Sequence, residues 1–176
     1  MTQWSIDGSH SNVAFSVRHL MITNVKGEFQ KLSGEIEYDA SRPDASRVNV
    51  TIEAASVSTR DAQRDTHLRS ADFLDATNHP NITFRSTSAK RSGDGLDVVG
   101  DLTIRGVTHQ ATLHATVPTS EQKDPWGNQR IGASATTTIK RSDFGVKFNS
   151  PLEGGGFVIG EEVRIDLDVS LVKAKP

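Results

Sequence analysis

The chain has 176 residues, the size of one domain and enough to bury a core without disulfide or metal staples. Twenty Lys and Arg against 22 Asp and Glu leave a net charge of −2, too balanced for the concentrated basic field that nucleic acid or an anionic membrane would attract. With no cysteine there is no disulfide, thiol catalysis, iron–sulfur cluster or thiolate zinc site.

Met1 to Asp7 carries neither a basic n-region nor an apolar h-region, so no signal peptide is expected. No run approaches the ~18 apolar residues of a membrane span. The expected location is the cytoplasm, or the periplasm or exterior if a leader has been removed. From here on apolar residues alternate with period two, and helical periodicity is scarce. Val13–His19 reads as a strand. Val25–Tyr38 follows, and its inward positions switch from Val25, Gly27 and Phe29 to Leu32, Gly34, Ile36 and Tyr38. That change of phase predicts a bulge near Gln30–Lys31.

Val48, Val50, Ile52 and Ala54 alternate in the next strand; Ile82–Ser88, Val98–Ile104, Ala111–Val117, Ile131–Ile139 and Val163–Leu171 complete the series. Turn residues separate them at Asp39–Pro43, Ser92–Gly95 and Pro125–Asn128. Two segments leave the pattern. Ser58 to Asp61 resembles a capping box and predicts a short polar helix over about 60–70. Asn149–Gly156 reads as a glycine-rich loop between phenylalanines.

One wet and one dry face per strand is the mark of antiparallel sheet. The chain is therefore expected to be all-β, one domain over 1–176, built as a two-sheet sandwich or a closed barrel of about eight strands. The inward faces carry many small residues: Gly34, Ser86, Ser88, Gly100, Ala111, Ala115, Ala133 and Ala135. Such residues either leave room for a ligand inside a barrel or offset large neighbours as it tapers.

Chemistry is sparse. There is no nucleophile elbow, Walker loop or zincin helix, and the six histidines show no metal-ligand spacing, so neither a catalytic set nor a metal site is expected. His19 shares the face of Val13, Phe15 and Val17, which points its imidazole inward, where it needs a partner. One reading gives it a backbone group or Tyr38; the other has it meet a ligand headgroup or a water in a cavity. Asp61, Asp65, Asp72 and Asp75 lie among Arg60, Arg64 and Arg69, an arrangement that predicts an ion-pair network on a solvated lid.

Trp4 to Gly27, Arg64 to Asp75, Pro80 to Phe84, Gly100 to Thr108, Arg141 to Gly145 and Gly160 to Asp166 together resemble the YceI-like family of bacterial polyisoprenoid-binding proteins. The blocks stand in family order, although the family often has Asp where this chain has Glu161. The resemblance implies an extended, antiparallel, eight-stranded lipocalin-like β-barrel whose long tunnel holds an isoprenoid chain, either a polyprenyl phosphate or an isoprenoid quinone. It implies a non-enzymatic binding, transport or storage role with no required cofactor, and it allows a homodimer.

By alternation Phe15, Val17, Phe84, Ile104 and Leu113 should line that tunnel. By loop position Phe73, Phe144, Phe148 and Phe157 should form a lid. His19 is the first polar candidate, and Arg141 a candidate for an anionic head. The alternatives are a binder of other lipids, such as fatty acids or amides, and an enzyme on an apolar substrate with His19 as general base.

Overall fold

The computed structural model describes residues 1–176 and consists of twelve strands and one α-helix. The strands are β1 (Thr2–Ile6), β2 (Asn12–His19), β3 (Thr23–Phe29), β4 (Leu32–Tyr38), β5 (Arg47–Glu53), β6 (Val57–Ser58), β7 (Asn81–Ser92), β8 (Gly95–Ile104), β9 (Val107–Thr116), β10 (Gln122–Lys123), β11 (Gln129–Lys140) and β12 (Ile159–Lys173). Six of these are halves of three bent staves. β1 and β2 both pair with β12, β4 with β1 and β3 with β2, and β5 and β6 run beside β4 and β3.

With the halves joined, the order is an eight-stave antiparallel meander. It closes where β11 pairs with β12 from Arg130↔Val172 to Lys140↔Glu162. A closed barrel leaves no free sheet edge, so the barrel is the fold and the sandwich is not.

The break between β3 and β4 falls at Gln30–Lys31, as the change of phase predicts. There the backbone turns to other partners: Gln30 N–H donates to Ser56 O at 3.1 Å, and Glu53 N–H donates to Lys31 O at 3.0 Å. A second irregularity lies in β7 between Ser86 and Ser88, where the pairing with β8 shifts register. It corrects the expected phase: Ala89 points inward and is buried, whereas Ser88 is exposed.

The seam between β9 and β11 is short, pairing only Ala135 with Ala115 and Thr136 with His114. Beyond that, Thr116 and Thr119 supply side-chain acceptors to the backbone N–H of Ser134 and Gly132.

The helix α1 spans Ala62–Arg69. Its N-cap is Asp61, whose carboxylate accepts from Arg64 N–H at 3.0 Å, and Ser58 belongs to β6 instead. The expected ion-pair network over this segment is not formed. Arg64 donates to Thr59 Oγ1 and Thr59 O, and Arg69 to Ala55 O and Val57 O, because these carbonyls at the ends of β5 and β6 lack ladder partners. Asp65 is buried and accepts from Thr59 N–H at 2.8 Å and Thr59 Oγ1 at 2.6 Å, while Asp72 pairs with His67 at 2.8 Å. The helix is thus pinned to the barrel rim by backbone acceptors.

The interior is filled unevenly. At one end Trp4, Tyr38, Ile131 and Leu171 form a compact cluster with Trp4 2% and Leu171 1% exposed. Next come Ala89, Leu96, Val98 and Ala111 of the main core. The other end is hollow.

Candidate functional site

The hollow end is an internal cavity of about 370 Å³, and 25 of the 32 residues around it are hydrophobic, so the volume is dry in character. Strand alternation accounts for most of the wall. Phe15 and Val17 project from β2, Phe84 from β7, Ile104 from β8 and Leu113 from β9; Val163, Ile165 and Leu167 do the same from β12. Phe15 lies across the face of Gly27, its cross-strand partner, where a Cβ would stand 2.5 Å from the ring. The same ring meets Phe29 with centroids 5.5 Å apart.

None of the eight small residues expected to face inward lines the cavity. Gly100 instead accommodates the ring of Phe84, whose Cζ would lie 2.6 Å from a Cβ there, and Gly34 makes way for the backbone of β5 and for Ile6. These two glycines offset large neighbours, and the empty volume is bounded mainly by large aliphatic and aromatic side chains. The reason is distributive: a void arises where opposing staves all fall short of the axis, which no single strand records.

The roof is an aromatic cluster. His67 of α1 lies edge-on to Phe73 at 4.9 Å and to Phe148 at 4.8 Å, and the two phenylalanine rings are 5.2 Å apart. Arg105, from the β8–β9 turn, donates to Phe73 O at 2.6 Å and to Ala71 O, which ties the segment after α1 to the barrel. Phe144 is 2% exposed and packs edge-on against His109 at 5.4 Å, where β9 and β11 part. Phe157 lies outside the cavity and is 58% exposed.

Thr137 lines the cavity from the middle of β11, whereas the charged and imidazole side chains of the lining gather at the end where the wall meets solvent. Arg18, His19, Arg64, His67 and Arg141 all border the cavity there, and Arg18, His67 and Phe148 are also exposed. The imidazole of His19 makes no hydrogen bond within the protein. Tyr38 belongs to the cluster at the closed end, so it is not the partner of His19. Arg18 and Arg64 were not legible as lining residues. Alternation puts Arg18 on the wet face, and only its position at the end of β2 brings it to the rim.

Arg141 is 6% exposed and has no carboxylate partner. Its guanidinium donates to Gly160 O at 2.8 Å, to Val146 O and Phe148 O at 2.9 Å, and to Ile159 O at 3.4 Å. Desolvation lowers its pKa from the usual arginine range, opposed by Glu161, which accepts from Ser142 N–H at 2.9 Å. Arg141 therefore clasps the segment 146–148 to the start of β12 while leaving a buried positive charge beside the cavity.

A family profile described as the YceI-like domain matches residues 4–171. The chain belongs to the YceI-like domain family. A curated YceI-like relative, Protein YceI of Shigella flexneri, is 46% identical over 141 residues, covering 80% of this chain and 73% of its own. The crystal structure of the Campylobacter jejuni YCEI protein superposes with a TM-score of 0.74 at 31% identity, covering 97% of each chain. A polyisoprenoid binding domain from Saccharophagus degradans, implicated in plant cell wall breakdown, shares the fold. Its TM-score is 0.70 at 16% identity, with 99% of this chain and all of that one covered. The YceI-like barrel is thus the common architecture, and the cavity lies within it.

Proposed function

We propose that the protein is a non-enzymatic binder of an isoprenoid lipid, held tail-inward in the barrel cavity with its head among Arg18, His19, Arg64 and Arg141. The observation that carries this reading is the apolar volume inside the barrel with cationic groups only at its solvent end. The polyisoprenoid-binding description of the Saccharophagus domain, which shares the fold, supports the same class of ligand. His19 lacks any hydrogen-bonded group to orient it or set its tautomer, which weighs against general-base chemistry there.

The volume limits the tail. A cavity of about 150 Å³ takes a benzene ring, so by the same ratio 370 Å³ takes roughly fifteen carbons, about three isoprene units. A longer chain has to displace the His67–Phe73–Phe148 roof. Each buried CH₂ is worth ~0.8 kcal/mol before the ordering of a flexible chain is subtracted.

Organic extraction and mass spectrometry of the purified protein, with native mass spectrometry for stoichiometry, test the reading. One isoprenoid per chain is expected, and added prenyl lipids should bind more tightly with length up to about three units. A mixture of fatty acids would retain the lipid site and discard isoprenoid selectivity. An empty chain that takes up no prenyl lipid overturns the proposal.

A further inference from the structure

The cavity leaves one surface unexplained. Leu20, Met21 and Ile22, at the tip of the β2–β3 hairpin, are 40%, 62% and 70% exposed, and Phe157 stands beside them. Leu20 N–H donates to Val158 O at 2.7 Å, and the sulfur of Met21 lies against Gly156, which brings the hairpin tip and the 149–158 loop together. Ile22 N–H donates to His19 O at 3.0 Å, closing a turn whose central residues Leu20 and Met21 have φ of 52° and 59°. Positive φ at both centres favours Asn-Gly; Leu and Met are strained there and bury little in return. Neither folding nor solubility accounts for an apolar, strained, exposed tip.

Arg18, Arg60, Arg64 and Lys147 lie at this end, and the ion pairs of the protein involve none of them. Arg18 donates only to Met21 O, and Arg64 to Thr59. Among the carboxylates of this end, Asp61 caps α1, Asp72 bonds His67 and Glu161 bonds Ser142, which leaves Asp143, Glu153 and Glu162 without a hydrogen-bonded or ion-pair partner. The near-neutral total charge argues against an anionic membrane partner, but it hides this grouping, because the four cations come from separate stretches of the chain.

We infer that this rim docks on an anionic phospholipid bilayer, with Leu20, Met21, Ile22 and Phe157 entering the headgroup region and the four cations meeting lipid phosphates. An apolar tip with basic residues at the same end of the barrel matches the chemistry of interfacial anchoring. The patch is continuous with the cavity mouth, since Arg18 and Arg64 border both. Docking would therefore present the mouth to the bilayer, where an isoprenoid dissolves, so the inference rests on the lipid reading above. A partner protein or second copy would need about 800 Å² per side for a stable interface, more than four side chains and a turn provide.

Vesicle flotation with phosphatidylcholine alone, and with equal parts of phosphatidylglycerol, tests it. The wild-type chain should float only with the anionic vesicles, and less at high salt. Arg60→Gln and Lys147→Gln should each weaken binding about fivefold. Leu20→Asn with Met21→Gly and Ile22→Thr should weaken it roughly tenfold or more. The same triple variant should melt higher, because the turn strain is relieved, and should keep its extracted lipid, because none of its three positions lines the cavity. Unchanged flotation of the triple variant overturns the inference. So does a wild-type dimer, seen by light scattering, that the variant dissociates while neither floats. Flotation without any bound lipid in the chain would instead sink the cargo reading alone.

Discussion

The two ends of the barrel are made of the same alternating strands and reach opposite packing. Trp4, Tyr38, Ile131 and Leu171 close one end as a buried cluster, and the Trp4 Nε1 donor is buried there without a partner. At the other end Phe15, Val17, Leu113 and Ile165 face a void of about 370 Å³. β12 supplies both, from Ile159 at the hollow end to Leu171 at the packed one. Burial of apolar side chains stabilises each end, but only the packed end gains full contact between them. Stability is therefore concentrated at the end without a site, and the hollow end is free to exchange its contents.

That contrast can be broken by deletion. Leu171→Ala at the packed end should cost about 3–5 kcal/mol, while Ile165→Ala at the hollow end should cost about 1–2 kcal/mol, since its neighbours already face a void. Urea titrations of the two variants measure the difference, and equal losses would show that the hollow end is filled in solution. Arg141→Met should cost about 3 kcal/mol by leaving buried carbonyls unpaired, and should speed amide exchange in residues 146–148 before the barrel as a whole. Fast exchange throughout the barrel would place Arg141 in the global core instead.

Filling sharpens the comparison further. Ala89→Phe at the packed end should destabilise by about 1–3 kcal/mol through overpacking. Leu113→Phe at the hollow end should leave the melting temperature level or higher while abolishing uptake of prenyl lipid. A fluorescent prenyl probe reads the second effect.

The smallest effect at neutral pH concerns ions at the packed end. Arg130 joins Asp7 at 2.8 Å and Asp124 at 2.7 Å. Bonds from Ser9, Arg130 and His10 hold the Asp7 carboxyl well below the usual range, and Arg130 does the same chiefly for Asp124. Their depressed folded values mean that this stabilisation is full above the unfolded carboxylate pKa of about 4 and is lost as pH falls below it. Melting curves of the wild type should drop below about pH 4, and Arg130→Gln should flatten that drop.

Much of the fold was legible locally. The dry positions Val98, Gly100, Leu102 and Ile104 of β8 alternate as the chain predicts, and the phase change at Gln30–Lys31 marks the bend where β3 becomes β4. Ser88 was not legible, because a register shift in the middle of a strand leaves no turn residue to announce it. The site was legible in part. Ten of the eleven candidate residues border the cavity and Phe157 does not, yet none of the eight small residues that suggested a void lines it, and Gly34 and Gly100 instead make room for large neighbours.

The sequence by itself determined where most of the strands lie, which face of most of them is dry, that one short helix follows Thr59 and the kinship with YceI-like domains, since all of these are read from neighbours along the chain. Only the tertiary structure decided which half of the barrel is solid. Whether an inward side chain meets another or meets space depends on staves far apart in the chain, such as β2 against β8, whose heights in the closed barrel follow from the pairing register and not from any local pattern.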